Sequence, residues 1–248
     1  MPDPKIRFDI LSLFPEFFKS PLSSSLISKA IKKGLIEVTT HDIRDFGTGK
    51  HKQVDDRPFG GGPGMVLKAD VLANSLQDTI TTGKKARKGA KPHVILLDPT
   101  GKQYNQKKVR KLSKMGWVIL ICGHYEGVDE RFKELFVGEE ISIGDYIVSG
   151  GETASLVLID SIARLIPGFL GKEESTVRES FSTTKVGVRD VKLLDYPDYT
   201  RPKEFAGKKI PEVLLSGDHV KIRNWRLKKQ IEKTKSRRPD LLKTNLST

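Results

Sequence analysis

The chain has 248 residues, enough to bury a substantial core, and 44 lysines and arginines against 31 acids give it a formal charge of +13. That surplus favours a polyanionic partner such as nucleic acid, with an inert basic surface as the alternative. One cysteine excludes a disulfide framework, and no Cys/His cluster has zinc-ligand spacing. No secretory signal and no apolar run of roughly 18 residues is present, which predicts a soluble, cytoplasmic protein without membrane contact.

Short β-rich segments alternate with helical patterns through the first two-thirds of the chain. The predicted strands are Ile6–Phe14, Leu35–Thr40, His93–Leu97, Trp117–Cys122 and Ile141–Ile143. The predicted helices are Phe17–Lys33, Val71–Thr82, Asn105–Met115 and Thr153–Ile166. Apolar strands such as Trp117–Cys122 are typical of a parallel sheet covered on both faces. The alternation predicts an α/β domain over residues 1–171, ending at the helix-stopping Pro167–Gly171.

The rest of the chain has a different character. Residues 172–189 are polar and charged and are predicted to be a flexible interdomain linker. From Asp190 onward there are short apolar clusters, several prolines and a basic helical pattern at His219–Lys233. This composition predicts a small helical domain over residues 190–248.

Three segments that follow predicted strands are candidates for a ligand site. They are Asp98–Gly101, Gly123–Glu126 and the glycine-rich Ser142–Glu152 (SIGDYIVSGGE). Parallel sheets usually bind ligands outside the carboxyl ends of their strands, and glycine lets backbone approach a ligand closely. Each segment alone is compatible with an ordinary turn, but the three together predict a ligand cleft.

Other motifs leave alternatives open. Gly60–Met65 (GGGPGM) has neither dinucleotide-loop nor phosphate-loop spacing, so it is either a surface loop or a backbone that approaches a base or sugar. Arg164 follows Asp160 by four residues, the spacing of a helix-surface ion pair. The five histidines are scattered, which gives Ser-His-Asp chemistry little support.

Five motifs occur in one order: VDDRPFGGGPGM, CGHYEGVDER, SIGDYIVSGGE, LIPGFLG and DYPDYTRP. The set resembles the bacterial tRNA (guanine-N1)-methyltransferases of the SPOUT class over nearly the whole chain. The resemblance implies a parallel α/β sheet with a trefoil knot on its C-terminal side, a small, mainly helical C-terminal domain, and a homodimer with active sites at the subunit interface. It also implies methyl transfer from S-adenosylmethionine to N1 of guanosine 37 of tRNA, 3′-adjacent to the anticodon, and a dependence on Mg²⁺ for which the sequence shows no site.

The resemblance assigns roles by position. Glu126 is expected to meet the amino group of the methyl donor, although it could equally cap a helix. The predicted donor-binding residues are Leu97, Asp98, Pro99, Gly123, Glu126, Ile143, Gly144, Asp145, Tyr146, Ile147, Val148, Gly150 and Gly151. The predicted tRNA-binding residues are Asp55, Arg57, Gly60, Gly61, Arg201, Arg223 and Arg226.

The acceptor chemistry indicates two catalytic residues. Guanine N1 carries a proton at neutral pH, so a base must remove it, and a cation would stabilise the charge that develops on O6. By family position Glu179 is the base and Arg164 the O6 partner, which favours a catalytic role for Arg164 over the ion pair. This chain has Glu179 where the family most often has aspartate, and Thr183–Lys192 looks like an insertion.

The basic runs and the rival functions remain as alternatives. Lys84–Lys91, Lys107–Lys111, Lys208–Lys209 and Lys221–Arg238 are either phosphate contacts or solvated faces. A knotted methyltransferase acting on a ribose 2′-hydroxyl would not need the Arg164 and Glu179 arrangement. A non-catalytic RNA-binding protein would bind RNA but not S-adenosylmethionine.

Overall fold

The structure is a computed structural model that describes residues 5–86, 90–171, 179–186 and 189–242. Its contacts divide the chain into two compact units, Met1–Gly171 and Lys172–Thr248. In the first unit the strands are β1 (Ile6–Ser12), β2 (Ile36–Asp42), β3 (Asp55–Asp56), β4 (Val66–Leu67), β5 (His93–Gln103), β6 (Trp117–Cys122) and β7 (Glu139–Ser142). Its α-helices are α1 (Lys19–Leu22), α2 (Ser25–Lys32), α3 (Ala69–Ala86), α4 (Gln106–Leu112), α5 (Glu130–Phe136) and α6 (Gly151–Ala163).

A five-stranded sheet is the centre of the first unit. Its order is β2-β1-β6-β5-β7, and every neighbouring pair is parallel. The two strands at its middle, β1 and β6, are buried at every residue. This confirms the predicted parallel sheet, because strands covered on both faces need no polar alternation.

Helices cover both faces of the sheet and form two apolar clusters. On one face, Ile10 and Leu120 pack in a cluster that includes Leu158 of α6. On the other face, Leu11 and Ile121 belong to a cluster that includes residues of α3 and α5, with Leu72 and Phe132 fully buried. Most of the predicted helices are present, but the pattern gave no sign of α5.

The predicted helix Phe17–Lys33 is broken in the structure. A 3-10 turn at Pro15–Phe18 leads into α1, and α2 begins only at Ser25. The hydroxyls of Ser23 and Ser24 both donate to the carbonyl oxygen of Ser20, at 2.9 and 3.0 Å. Serine side chains compete in this way with helical backbone hydrogen bonds, which accounts for the interruption.

Strand β5 continues past the predicted end at Leu97. Its pairing with β7 shifts register between Leu97 and Lys102, so residues 98–101 form an irregularity inside the strand and not a turn between elements. A side-chain carbon at Gly101 would lie 2.5 Å from the backbone of Glu140 and Ile141. Glycine at this position therefore lets the two strands stay close together.

The second unit combines short hairpins with one long helix. Strands β8 (Thr183–Val186) and β9 (Arg189–Lys192) pair antiparallel, as do β10 (Glu204–Phe205) and β11 (Lys208–Lys209). Helix α7 (His219–Arg237) is capped by Asp218, whose carboxylate accepts from the N–H groups of Val220 and Lys221, both at 3.0 Å. Of the predicted linker, residues 172–178 and 187–188 lie outside the described residues.

Candidate active site

A cleft of about 360 Å³ opens at the carboxyl edge of the sheet, beside the irregularity within β5 and the ends of β6 and β7. Three segments make up most of its lining, and they are the three that the sequence analysis predicted as a ligand site. The lining consists of Leu97, Asp98, Pro99, Thr100, Gly123, His124, Tyr125, Glu126, Gly127, Val128, Glu130, Lys133, Ile141, Ser142, Ile143, Gly144, Tyr146, Ile147, Val148, Ser149, Gly150, Gly151 and Ala154. Of the thirteen predicted donor-binding residues, which are all described, Asp145 is the one outside this lining.

The two glycines that begin α6 bring its backbone into direct contact with the other loops. A side-chain carbon on Gly151 would lie 2.6 Å from the Cα atom of Cys122, and the Gly151 N–H donates to the carbonyl of Gly123 at 3.0 Å. A side-chain carbon on Gly150 would lie 2.1 Å from Nε2 of His124. Any larger residue would push the loops apart, so glycine is required here by close packing.

The glycine-rich loop at residues 60–65 supports one wall of the cleft. The Glu126 N–H donates to the carbonyl of Met65 at 3.0 Å, and the Leu67 N–H donates to the carbonyl of Gly127 at 3.0 Å. Gly64 has a positive φ of 81°, and a side-chain carbon there would meet Oε1 of Glu126 at 2.3 Å. The loop therefore packs its backbone against a predicted donor-binding side chain.

Lys133 and Asp98 form an ion pair in the wall of the cleft, and the sequence analysis missed the lysine. The Nζ atom of Lys133 lies 3.2 Å from carboxylate oxygens of both Asp98 and Glu140. Burial would raise the pKa of Asp98, but hydrogen bonds from Thr100 and the charge of Lys133 outweigh burial, so the pKa lies below its usual value. Asp98 is thus a fixed anion beside the cleft.

A buried carboxylate underlies the cleft and was also missed. Glu152, in the first turn of α6, is 5% exposed. Its carboxylate accepts a hydrogen bond from Oγ of Ser12 at 2.6 Å and lies 3.0 Å from Nε2 of His124. An acid after two glycines was visible in the sequence, but Ser12 is 140 residues away and only the fold brings it here.

The single cysteine, Cys122, is the last residue of β6 and is fully buried. Burial, together with the nearby charge of Glu152, raises the pKa of the Cys122 thiol well above its ordinary value. Its sulfur lies 3.2 Å from Oγ of Ser155. A thiol held in the protonated state is a poor nucleophile, and Cys122 is not among the residues that line the cleft.

The two predicted catalytic residues lie outside the cleft lining. Arg164 ends α6, and its N–H donates to the carbonyl of Asp160 at 3.1 Å. Because α6 begins at Gly151, Arg164 is roughly 20 Å from that end of the helix, at about 1.5 Å per residue. Glu179 belongs to the second unit, where its carbonyl accepts from the N–H of Ser182 at 3.1 Å.

The chain is similar to proteins of one known family over nearly its whole length. A family model described as tRNA (Guanine-1)-methyltransferase TrmD matches residues 6–244. The chain belongs to this methyltransferase family. A tRNA (guanine-N(1)-)-methyltransferase of Clostridioides difficile (strain 630) is 50% identical over 238 residues, which cover 96% of this chain and 98% of the relative. Proteins of the same name from Brevibacillus brevis and Carboxydothermus hydrogenoformans are 50% and 49% identical over 96% of this chain, and the matches cover 91% and 88% of those relatives.

Four of the tRNA-binding residues predicted from the family resemblance lie in the first unit. Asp55 is in β3, which pairs antiparallel with β4, and Arg57 follows it at the surface. Gly60 and Gly61 have positive φ angles of 87° and 80°, with open space where side chains would be. Phe59 is 99% exposed, so this part of the loop projects into solvent.

The other three predicted tRNA-binding residues of this family member lie in the second unit. Arg201 and Arg223 are exposed, the latter on α7. Arg226 is half-buried, and its guanidinium carbon lies 4.6 Å from the centre of the Tyr196 ring. Tyr199 packs against Trp225 at 6.2 Å between ring centres, so the long basic helix is anchored to its unit by aromatic contacts.

The described residues of this methyltransferase contain neither a metal-binding cluster nor a membrane-spanning helix. No group of three or more His, Cys, Asp or Glu side chains there is arranged to hold a metal ion. No helix within those residues combines the length and apolarity needed to cross a membrane.

Proposed function

We propose that the protein transfers a methyl group from S-adenosylmethionine to N1 of guanosine 37 of tRNA, on the 3′ side of the anticodon. The observation that supports this most strongly is the cleft that three loops form at the carboxyl edge of the sheet, in a chain of this family. Relatives that are named for transfer to guanine N1 match the chain over nearly their full length. By family resemblance, the three loops form the trefoil knot of a SPOUT enzyme.

The residues of the cleft fit the methyl donor. A volume of about 360 Å³ lies in the range of small-molecule sites. Ile143 and Val148 offer an adenine an apolar slot. The backbone of their loop, Ser142–Glu152, offers the hydrogen bonds that an adenine needs. Glu126 also lines the cleft and supplies a carboxylate for the amino group of the methionine part. The sulfonium of the bound donor supplies an electrophilic methyl group.

The remaining chemistry falls to the enzyme's own side chains. Glu179 removes the proton from guanine N1, which frees a lone pair to attack the methyl carbon while the carbon–sulfur bond breaks. Arg164 stabilises the charge that shifts onto O6. No step is assigned to Mg²⁺, because the described residues offer no metal cluster, and the metal dependence stays a prediction.

The position of Arg164 supports a homodimer with active sites at the subunit interface. Roughly 20 Å of helix separates Arg164 from the end of α6 that lines the cleft, at about 1.5 Å per residue. That distance exceeds the reach of an arginine side chain, so Arg164 does not complete the cleft of its own chain. A second copy of the chain would supply it.

The segment that resembles an insertion does not argue against Glu179. Strands β8 and β9 lie in this segment and pair antiparallel, with Thr183 opposite Lys192. Next to these strands, the N–H of Phe181 donates to the carbonyl of Leu193 at 2.9 Å. The two ends of this segment are therefore paired with each other. The backbone next to Glu179 stays hydrogen-bonded to the residue that follows β9.

The decisive experiment measures labelled methyl transfer to tRNA transcripts with guanosine or adenosine at position 37. We expect transfer to the first transcript alone, with the methyl group on N1 after nuclease digestion and mass spectrometry. A methyl group on a ribose would favour the 2′-hydroxyl enzyme. RNA binding without S-adenosylmethionine binding in calorimetry would favour a non-catalytic RNA-binding protein.

Two substitutions test the assigned catalytic residues. Loss of the base in Glu179→Gln should lower turnover about 10²–10⁴-fold, and loss of the cation in Arg164→Ala about 10²–10³-fold. Both variants should keep the calorimetric affinity for the donor. Glu204→Gln, an exposed change in the same unit as Glu179, is the matched control and should turn over normally. Near wild-type turnover in either test variant would remove that residue from the mechanism.

A further inference from the structure

Glu152 is a carboxylate that the proposed mechanism does not use, and it is buried beside the cleft. A buried charge is unfavourable unless hydrogen bonds or opposite charges compensate it. Its place in the first turn of α6 helps, since a helix N-terminus favours an anion. Oγ of Ser12 donates to one oxygen at 2.6 Å, and Nε2 of His124 lies 3.0 Å from the other.

The direction of both hydrogen bonds follows from the partners. Oγ of Ser12 accepts from the backbone N–H of Phe14 at 2.8 Å, so its own proton is available for Glu152. An ionised carboxylate only accepts, which requires that Nε2 of His124 carries a hydrogen. The His124 ring also packs at 5.0 Å from the Phe14 ring, so its orientation is fixed on two sides.

These contacts join three separate parts of the chain. Ser12 ends β1, His124 lies in the loop after β6, and Glu152 is in the first turn of α6. Gly150 lies against the His124–Glu152 pair, since a side-chain carbon there would be 2.1 Å from Nε2 of His124 and 2.5 Å from Oε2 of Glu152. The backbone of the Ser142–Glu152 loop therefore packs against the His124–Glu152 pair.

We propose that Glu152 is a positioning residue for the methyl donor, acting through His124 and the backbone of Gly150. Both of those residues line the cleft, whereas Glu152 does not. Glu152 fixes the separation of two cleft walls, and Ser12 holds Glu152 in place. This inference rests on the proposed function, because it assumes that the cleft binds S-adenosylmethionine.

The test is calorimetric binding of S-adenosylmethionine to the full-length chain, followed by steady-state methyl transfer. Glu152→Gln keeps the shape of the side chain but removes its charge, and should raise the donor Kd about tenfold. The turnover number at saturating donor should stay within about threefold of wild type, because Glu152 touches no reacting atom. The KM for tRNA should not change.

A second pair of variants keeps the test informative if Glu152→Gln folds poorly. Ser12→Ala removes the hydroxyl and should weaken donor binding about threefold, whereas Ser12→Thr retains a hydroxyl and should restore it. Ser155→Ala is the control, because it removes a buried hydroxyl whose contact is the sulfur of Cys122, and this variant should bind the donor normally.

The outcomes separate the two proposals. If the wild type binds no S-adenosylmethionine, the proposed function and this inference both fail. If the wild type binds it and Glu152→Gln and Ser12→Ala bind it equally well, the inference alone is overturned. A fall in turnover number with an unchanged donor Kd would also overturn it.

Discussion

Asp9 and Glu152 are two buried carboxylates that each pair with a histidine, yet they have different surroundings. Asp9, in the middle of β1, is fully buried. It accepts two bonds from Arg7 at 2.6 and 2.8 Å and one from Trp117 at 2.7 Å, and it lies 2.7 Å from Nε2 of His41. Every one of these partners belongs to β1, β2 or β6.

The difference lies in what the partners are attached to. The partners of Asp9 lie on its own strand and the two neighbouring strands, and Trp117 packs closely on Gly83 of α3, where a side-chain carbon would overlap its ring. The partners of Glu152 are the last residue of a strand and a loop residue of the cleft. We therefore expect disruption of the first network to unfold the protein, and disruption of the second to weaken ligand binding.

The largest expected effect is on stability. Asp9→Ala would leave the buried Trp117 N–H without its partner and the Arg7 guanidinium with Glu37 as its remaining carboxylate, which should lower the free energy of unfolding by about 3–5 kcal/mol in urea titrations. The control is Asp45→Ala, which removes an exposed ion pair with Lys52 and should change stability little, because solvent screens exposed charges. Equal losses in the two variants would remove the distinction between the buried network and the surface pair.

Gly150→Ala should have the next largest effect, and it tests the other region. The added carbon would overlap side-chain atoms of His124 and Glu152, so either this pair or the loop must shift, which should cost about 1–3 kcal/mol of stability and weaken donor binding in calorimetry about tenfold. Gly171→Ala is a matched control, because no atom lies within 4 Å of the added carbon. Normal donor binding by Gly150→Ala would show that the loop does not depend on this contact.

The smallest expected effect is a loss of folding stability at acidic pH. Burial raises the pKa of Asp9, but hydrogen bonds from Arg7, His41 and Trp117 outweigh burial, so the pKa in the folded state lies below its usual value. The ionised group therefore contributes stability above the unfolded pKa of about 3.9, and this contribution is lost as the pH falls through the folded pKa.

Urea unfolding at pH 6 and pH 3 measures that loss. The wild type should lose more stability between the two pH values than Asp9→Asn, which has no carboxyl to protonate at this position. An identical loss in both proteins would mean that Asp9 does not contribute to the acid sensitivity.

Much of the fold was predictable because local patterns dominate it. Continuous apolar runs predicted the first part of β5 and all of β6, and β6 has the predicted bounds, Trp117–Cys122. Helix ends and interruptions were less predictable. Ser23 and Ser24 end a helix by bonding to nearby backbone, and the short amphipathic α5 has too few turns to give a clear period.

The candidate site was likewise only partly predictable from the sequence. The three segments of the cleft were predicted from the sequence, because parallel strands present their carboxyl ends at one edge of a sheet and the glycines of Ser142–Glu152 allow close approach to a ligand. Ser12, His124 and Lys133 were missed, since a serine, a histidine and a lysine each have many ordinary uses. Nothing local distinguishes them until their partners are known.

The sequence by itself determined the sheet, the family and the loops that form the cleft, because apolar periodicity and motif order are properties of the chain alone. Only the tertiary structure decided which buried charges have partners. It also decided that Arg164 lies at the far end of α6 from the cleft. Hydrogen bonds act over about 3 Å of space regardless of sequence distance, so a contact such as Ser12 to Glu152, across 140 residues, exists only once the chain has folded.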